Sequence, residues 1–253
     1  MDEIFKTINK VLEQAEKEDW VEKLKLFFAR KRTVLVLGTS GVGKTTFIES
    51  LNTGMPKVIH YLTRTEIAQK YKMKFPKAKI VFVDTPGQQL HESRRDQAVR
   101  EALKSPHLGL INTVAYGYHE HSTGIGEAFD RKGNVSRTYL ENRRKLEIEE
   151  MLRWNTLLGS SSSTAWFVTV INKADLWWGN RRNVVEHYKK GQYYRRMGSL
   201  RELKPIVVEY CSVIHKFYGI GKVSGAFDVE LRETINAAFV KSLLTLARDS
   251  DAE

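Results

Sequence analysis

Cysteine is nearly absent: Cys211 is the single one in 253 residues. That excludes an intramolecular disulfide framework and suits a reducing cytosol, so a cytoplasmic setting is expected. No run of about 18 apolar residues occurs, which excludes a spanning helix. The first ten residues, MDEIFKTINK, carry acidic groups and no continuous apolar stretch, unlike a secretory signal. No internal repeat is visible. Prolines are few, at five, and 42% hydrophobic with 28% charged residues is the composition of a soluble globular protein. Acidic residues are outnumbered by basic ones, leaving a formal net charge of +11. Such a surplus favours an anionic partner (RNA, a ribosome, a membrane surface or an acidic protein), or else forms a solvated basic surface.

The length is enough for a sizeable core, with one large domain the first expectation and one domain with extensions the second. Residues 2 to 30 have helical spacing, through Ile4, Phe5, Ile8, Val11 and Leu12 and again through Trp20, Val21, Leu24, Phe27 and Phe28. TVLVLG then reads as a strand apolar on both faces, the mark of a parallel sheet covered on both sides. KIVFVDTPG (79–87) and AWFVTVINKAD (165–175) repeat it, and HLGLINTVAYG (107–117) and KPIVVEYCSV (204–213) do so more weakly. Helical patterns lie between, over 43–52, 90–104, 138–157, 182–196 and 228–248, and this alternation predicts an α/β sheet. TEIAQKYKMKF (65–75) alternates instead, which predicts an edge strand in a hairpin with KIVFVD. The stretch 117–137 has glycines, polar residues and no period, and reads as a long loop.

GTSGVGKT (38–45) matches G-x-x-x-x-G-K-[ST], between a predicted strand and a predicted helix. Gly38, Gly41 and Gly43 let the backbone wrap so that N–H groups, from Ser40 to Thr46, point at phosphate oxygens, aided by the positive helix N-terminus. Lys44 reaches the β- and γ-phosphates, and the Thr45 hydroxyl binds magnesium. A nucleoside di- or triphosphate with Mg²⁺ is therefore the expected ligand. DTPG ends the next buried strand: Asp84 can hold Mg²⁺ through water, and the Gly87 N–H can meet the γ-phosphate. NKAD (172–175) ends another. All three motifs fall at carboxyl ends of strands, where open α/β sheets bind ligands.

In GTSGVGKT, DTPGQ and NKAD, in that order, the sequence resembles the P-loop GTPases of the translation-factor and Ras-like (TRAFAC) class, over roughly residues 33–247. The resemblance implies a mostly parallel six-stranded sheet with one antiparallel edge strand and helices on both faces. It divides the chain into an N-terminal helical extension (1–30) and a G domain (31–253) with an inserted loop at about 117–137. It makes Asp175 the guanine selector, since a carboxylate can accept from guanine's two donors and adenine has no such pair. Asn172 then braces the phosphate loop and Lys173 lies along the base. EYCSV (209–213) looks like the last base-contacting loop, with Cys211, Ser212 and Val213 acting through backbone N–H groups. Thr63 or Thr65 is implied as the threonine that senses Mg²⁺ and the γ-phosphate, and Gln88 as the residue that orients the attacking water. Arg64, Arg131, Arg137, Arg143 and Arg144 are candidates for an arginine acting in cis.

Other features read more plainly. His119 and His121 give H-E-H without a cluster to complete a metal site, so a solvated loop is expected. Trp177 and Trp178 suit core packing. Basic pairs at 181–182, 189–190 and 195–196 share a predicted helix with Tyr188, Tyr193 and Tyr194, read as a solvated face, with RNA as the alternative. The sequence thus predicts a Mg²⁺-dependent switch that binds GTP and GDP, hydrolyses GTP and engages a protein effector. The rival readings are a nucleotide-binding scaffold without turnover and an RNA- or ribosome-associated GTPase.

Overall fold

The first described element is β1 (Arg32–Leu37), whose core residues Val34, Leu35, Val36 and Leu37 are all buried. Alternate side chains of a strand point to opposite faces, so an apolar pair on each side demands cover on both. In the computed structural model that cover is present. The structure describes residues 32–53, 69–75, 78–84, 92–105, 108–121, 124–158, 164–223 and 225–249. The N-terminal stretch read as helical lies outside them.

β1 is followed by α1 (Lys44–Thr53), β2 (Gln69–Phe75), β3 (Ala78–Asp84), α2 (Glu92–Ala102) and β4 (Leu108–Val114). Next come α3 (Ile125–Ala128), α4 (Arg137–Leu158), β5 (Thr164–Ile171), α5 (Ala174–Trp177), α6 (Arg181–Lys189), α7 (Gln192–Arg195), β6 (Ile206–Glu209) and α8 (Val229–Asp249). The strands form one sheet in the order β2-β3-β1-β4-β5-β6. The β1–β3, β1–β4, β4–β5 and β5–β6 pairs are parallel, and β2 runs antiparallel to β3 from Gln69↔Asp84 to Phe75↔Ala78. This is an α/β fold with a parallel sheet and helices, consistent with a P-loop GTPase.

Register sorts the core. Leu35, Leu110 and Phe167 line up across β1, β4 and β5, and pack with Val99 and Ala102 of α2 and with Ile148, Met151 and Trp154 of α4. One residue along, Val36, Ile111 and Val168 line up on the other face, against Phe47 and Ile48 of α1 and Phe239 of α8. Phe47 meets Tyr210 and Phe239 edge to face, with ring centroids 4.9 and 5.5 Å away. Both faces of the sheet are thus covered at β1, β4 and β5, and the parallel strands deliver their carboxyl ends to one edge.

Three expectations need correction. The single helix expected over 182–196 is two, α6 and α7, separated at Lys190–Gly191. A Cβ on Gly191 would stand 2.6 Å from the His187 carbonyl oxygen, so the backbone turns there where only glycine fits. Tyr188 and Tyr193 are fully buried and meet at 4.9 Å between centroids, so they do not interleave with the basic groups on the surface. The 117–137 stretch is not a featureless loop: it holds α3 and an antiparallel bridge between Phe129 and Val135, closed over Ala128 and Phe217.

Candidate functional site

The site is built where β1, β4, β5 and β6 end. After Leu37 the chain turns through Gly38, Gly41 and Gly43, all in left-handed or mirror-image backbone at φ 132°, 79° and 86°, and enters α1 at Lys44. Lys44 is 6% exposed, and its Nζ donates to the carbonyls of Gly38 and Thr39, each at 3.0 Å. Its ammonium is thereby folded back over the loop, beside the amides it would share a phosphate with. Thr45 and Thr46 follow in the first turn of α1. Asp84 closes β3 and lies level with Val36 in the adjacent strand. Thr63, Thr65, Gly87, Gln88 and Arg64 lie outside the described residues.

Asn172 joins the parts. Its Nδ2 donates to the carbonyls of Val42 (3.1 Å) and Gly43 (3.5 Å), and its Oδ1 accepts from the Ser212 hydroxyl (2.9 Å) and the Ser212 N–H (3.2 Å). The Trp177 indole in turn donates to the Asn172 carbonyl at 2.8 Å. Trp177 is buried and Trp178 packs on the same core, as expected of both. Lys173 takes a left-handed conformation at φ 59°, a strained choice for a side chain of this size. Its Nζ donates to the carbonyls of Gly41 and Tyr118, both at 2.9 Å, and to Glu120 Oε2 at 2.7 Å.

Asp175 is fully buried. Its Oδ1 accepts from the Cys211 thiol at 3.4 Å, and its Oδ2 accepts from the His215 N–H at 2.9 Å. Burial, and then the neighbouring Asp175 charge, push the Cys211 thiol well above its ordinary range, so it stays protonated and donates. The Cys211 N–H is taken by Asn236 Oδ1 at 3.0 Å, and the Ser212 N–H by Asn172. Arg232 fixes this loop from α8, donating to the Cys211 and Ser212 carbonyls at 3.0 Å each. Val213 is buried beside them.

The H-E-H segment is the main surprise. His119 is fully buried, which corrects its reading as part of a solvated loop. Its Nε2 lies 2.8 Å from Glu147 Oε1, and its Nδ1 lies 3.4 Å from the Thr39 hydroxyl in the phosphate loop. Burial outweighs the Glu147 contact and holds the His119 imidazole below its usual value, which leaves it neutral. Burial would raise the Glu147 carboxyl too, but His119, the Tyr188 hydroxyl and the Ala115 N–H outweigh it and hold it below the carboxylate range. An ionised Glu147 therefore accepts from Nε2–H of a neutral His119, whose Nδ1 faces the Thr39 hydroxyl. Glu147 Oε1 also accepts from the N–H groups of Ala115 (2.9 Å) and Gly117 (3.2 Å). Glu120, next along, donates its N–H to the Gly41 carbonyl at 3.2 Å. A Cβ on Gly41 would stand 2.6 Å from the Glu120 carbonyl oxygen, so glycine there admits the approach of this second loop.

Of the candidate arginines, Arg143 sits over the Tyr139 ring at 4.8 Å and Arg144 over the Tyr116 ring at 4.5 Å, while Arg131 and Arg137 are exposed. Among the described residues no group of three or more His, Cys, Asp or Glu is gathered for a metal, and no helix is long and apolar enough to cross a membrane.

A wrapped glycine loop opening a helix, an asparagine bracing it, and an aspartate at the next strand end meet on this sheet edge. That arrangement is consistent with a P-loop GTPase G domain of the TRAFAC class. Residues 33–154, just under half of the chain, match the family model described as 50S ribosome-binding GTPase. No curated protein matches the chain.

Proposed function

We propose that this domain is a Mg²⁺-dependent switch in the cytoplasm that binds GTP and GDP specifically and hydrolyses GTP. The observation that carries this reading is the Asn172 joint, whose one amide ties the phosphate loop at Val42 to the 211–213 loop at Ser212. Phosphates and base would be read by one rigid unit.

In the proposed mechanism the N–H groups of Ser40 to Thr46 and the Lys44 ammonium surround the β- and γ-phosphates. Asp175 accepts from the guanine edge while Lys173 flanks the base, with the 211–213 loop closing the far side. Thr45 and Asp84, with Thr63 or Thr65, would hold Mg²⁺; these hydroxyl and carboxylate oxygens suit a hard cation that keeps waters and phosphate oxygens as its other ligands. When bound, the metal neutralises charge on the phosphate oxygens. Gln88 orients the attacking water, and the Gly87 N–H senses the γ-phosphate. Turnover without an added arginine is on the order of 10⁻⁴ to 10⁻² s⁻¹. Residues 1–30 serve as an extension of the G domain at 31–253, available to an effector.

The testing experiment measures Kd for GDP, XDP and ADP on wild type and Asp175→Asn. The variant should move preference from guanine to xanthine. Undiminished guanine selectivity would remove the base assignment, and phosphate release no faster than in Lys44→Ala would leave a nucleotide-binding scaffold.

A second reading adds an RNA or ribosomal partner. It is favoured by the family description and by Arg182, Lys189, Lys190, Arg195 and Arg196, all exposed on α6 and α7 or next to them. RNA binding that weakens steeply with salt and differs between the GDP and GTP forms would support it.

A further inference from the structure

Two loops meet directly over the residues assigned to the base. One follows β4 and carries Tyr118, His119, Glu120 and His121. The other follows β6 and carries Val213 to Gly219. Glu120 is the hub between them. Its Oε2 accepts from His215 Nε2 at 2.9 Å and from Lys173 Nζ at 2.7 Å, and its Oε1 accepts from the Tyr218 N–H at 2.7 Å. The His121 N–H donates to the Tyr218 hydroxyl at 2.8 Å. Tyr139 donates its own hydroxyl hydrogen to the His119 carbonyl at 2.6 Å, so at 3.2 Å the Tyr218 hydroxyl is the donor to Tyr139.

Two features set this junction apart from ordinary loop packing. The first is what it covers. His215 reaches the same Asp175 oxygen with its N–H and, at 3.3 Å, with Nδ1: two donors from one residue on one carboxylate. With Oδ1 taken by the Cys211 thiol, both oxygens that a guanine edge would need are already occupied. The Asp175 side chain has no exposed surface left, and those of Lys173 and Glu120 are 7% and 11% exposed. A base cannot reach Asp175 unless something moves. The second is strain. Tyr218 is held at φ 52° and ψ 23°, left-handed backbone that a bulky aromatic residue adopts rarely and at a cost of order 1–3 kcal/mol. The closed arrangement thus carries a backbone cost that its contacts must offset.

We infer that Glu120 and His215 form a latch across the base pocket, and that its opening limits how fast a guanine nucleotide enters. The inference rests on the reading of Asp175 as guanine selector. The charged groups facing His215 are Asp175 from α5, Glu120 from the loop after β4, and Lys173 just before α5. Burial would lower the imidazole, but the hydrogen bonds to Asp175 and Glu120 outweigh it and hold it at about 9. At neutral pH it is a cation between two carboxylates. Binding to a latched protein is weakened by the fraction of molecules that are open, so loosening the latch raises the association rate and leaves the bound complex unchanged.

The test is stopped-flow fluorescence with a methylanthraniloyl-labelled GDP and Mg²⁺, on nucleotide-free wild type, Glu120→Gln and His215→Ala. Each variant should associate at least roughly tenfold faster, with dissociation within about twofold of wild type. Circular dichroism verifies that each is folded. Tyr218→Phe, which keeps the ring and loses both hydroxyl bonds, should move association the same way by about threefold. Association unchanged or slower in folded Glu120→Gln and His215→Ala overturns the latch. If that happens while Asp175→Asn abolishes guanine preference, the base assignment stands and only the latch falls. If Asp175→Asn leaves the preference intact, the assignment falls and takes the latch with it.

Discussion

Replacing Glu147 by alanine tests whether one buried carboxylate organises the loop after β4. The side chain is fully buried and accepts from four donors: the Ala115 and Gly117 N–H groups, His119 Nε2 and the Tyr188 hydroxyl. Alanine leaves all four without that acceptor in a space closed to water. An unsatisfied buried donor costs about 1–3 kcal/mol and hydrogen bonds to a charged group are worth about 1.5–3 kcal/mol; partial relaxation keeps the sum below the total. With four donors orphaned at once and part of the loss relieved by relaxation, the magnitude expected here is about 3–5 kcal/mol. For a domain of this size that is roughly 6–20 °C in Tm. Glutamine is the discriminating control. Its oxygen still accepts from Ala115, Gly117 and His119, and the Tyr188 hydroxyl can rotate to accept from the new amide. Only charge assistance is lost, so Glu147→Gln should cost about 1–2 kcal/mol. Urea titration of both variants, with wild type alongside, gives the two values. Equal losses, or less than about 1 kcal/mol for alanine, would refute the argument that the carboxylate holds the loop.

Three further outcomes are expected. Asn172→Ala should weaken GDP binding at least tenfold and cost about 1–3 kcal/mol of stability, because it frees the Val42 carbonyl and the Ser212 hydroxyl together; calorimetry and thermal unfolding measure the two. Gln88→Ala should slow single-turnover hydrolysis by about tenfold or more and leave the GDP Kd within twofold, read by phosphate release and calorimetry. The raised His215 value gives a pH signature. A group whose folded value lies above its unfolded one contributes stability that is fully present below about 6.5 and lost as pH rises through about 9. Wild type should therefore lose on the order of 2 kcal/mol more than His215→Ala between pH 7 and pH 10, measured by urea titration at each pH. A constant difference would contradict the ion pairing.

The glycine loop and NKAD stood out in the sequence because each is a motif of fixed short spacing, and each follows a strand apolar on both faces. The Asn172 and Lys173 contacts fall on the carbonyls of Val42 and Gly41, inside the expected loop. What escaped is written across long separations. His119 and Glu147 are 28 residues apart, and Glu120 lies 95 from His215 and 98 from Tyr218. A lone H-E-H without periodicity reads as polar and therefore wet; only the fold shows that an acid on α4 faces it. Tyr188 and Tyr193 misled in the opposite sense, since tyrosine beside arginine signals a nucleic-acid surface only when the ring is outside. The sole local hint was Gly191, which divides the helical pattern and lets the second tyrosine turn inward. The role of Glu120 had no signal at all in one dimension.

Under the proposed assignment a single carboxamide is shared between the anion cradle and the purine side, so the two halves of ligand choice cannot be tuned separately. An attempt to redirect this domain toward another nucleobase by rebuilding the 211–215 turn would loosen Asn172, and with it the grip on the polyphosphate tail. Engineered substrate swaps here should lose affinity before they gain a new preference, unless a second change restores the brace.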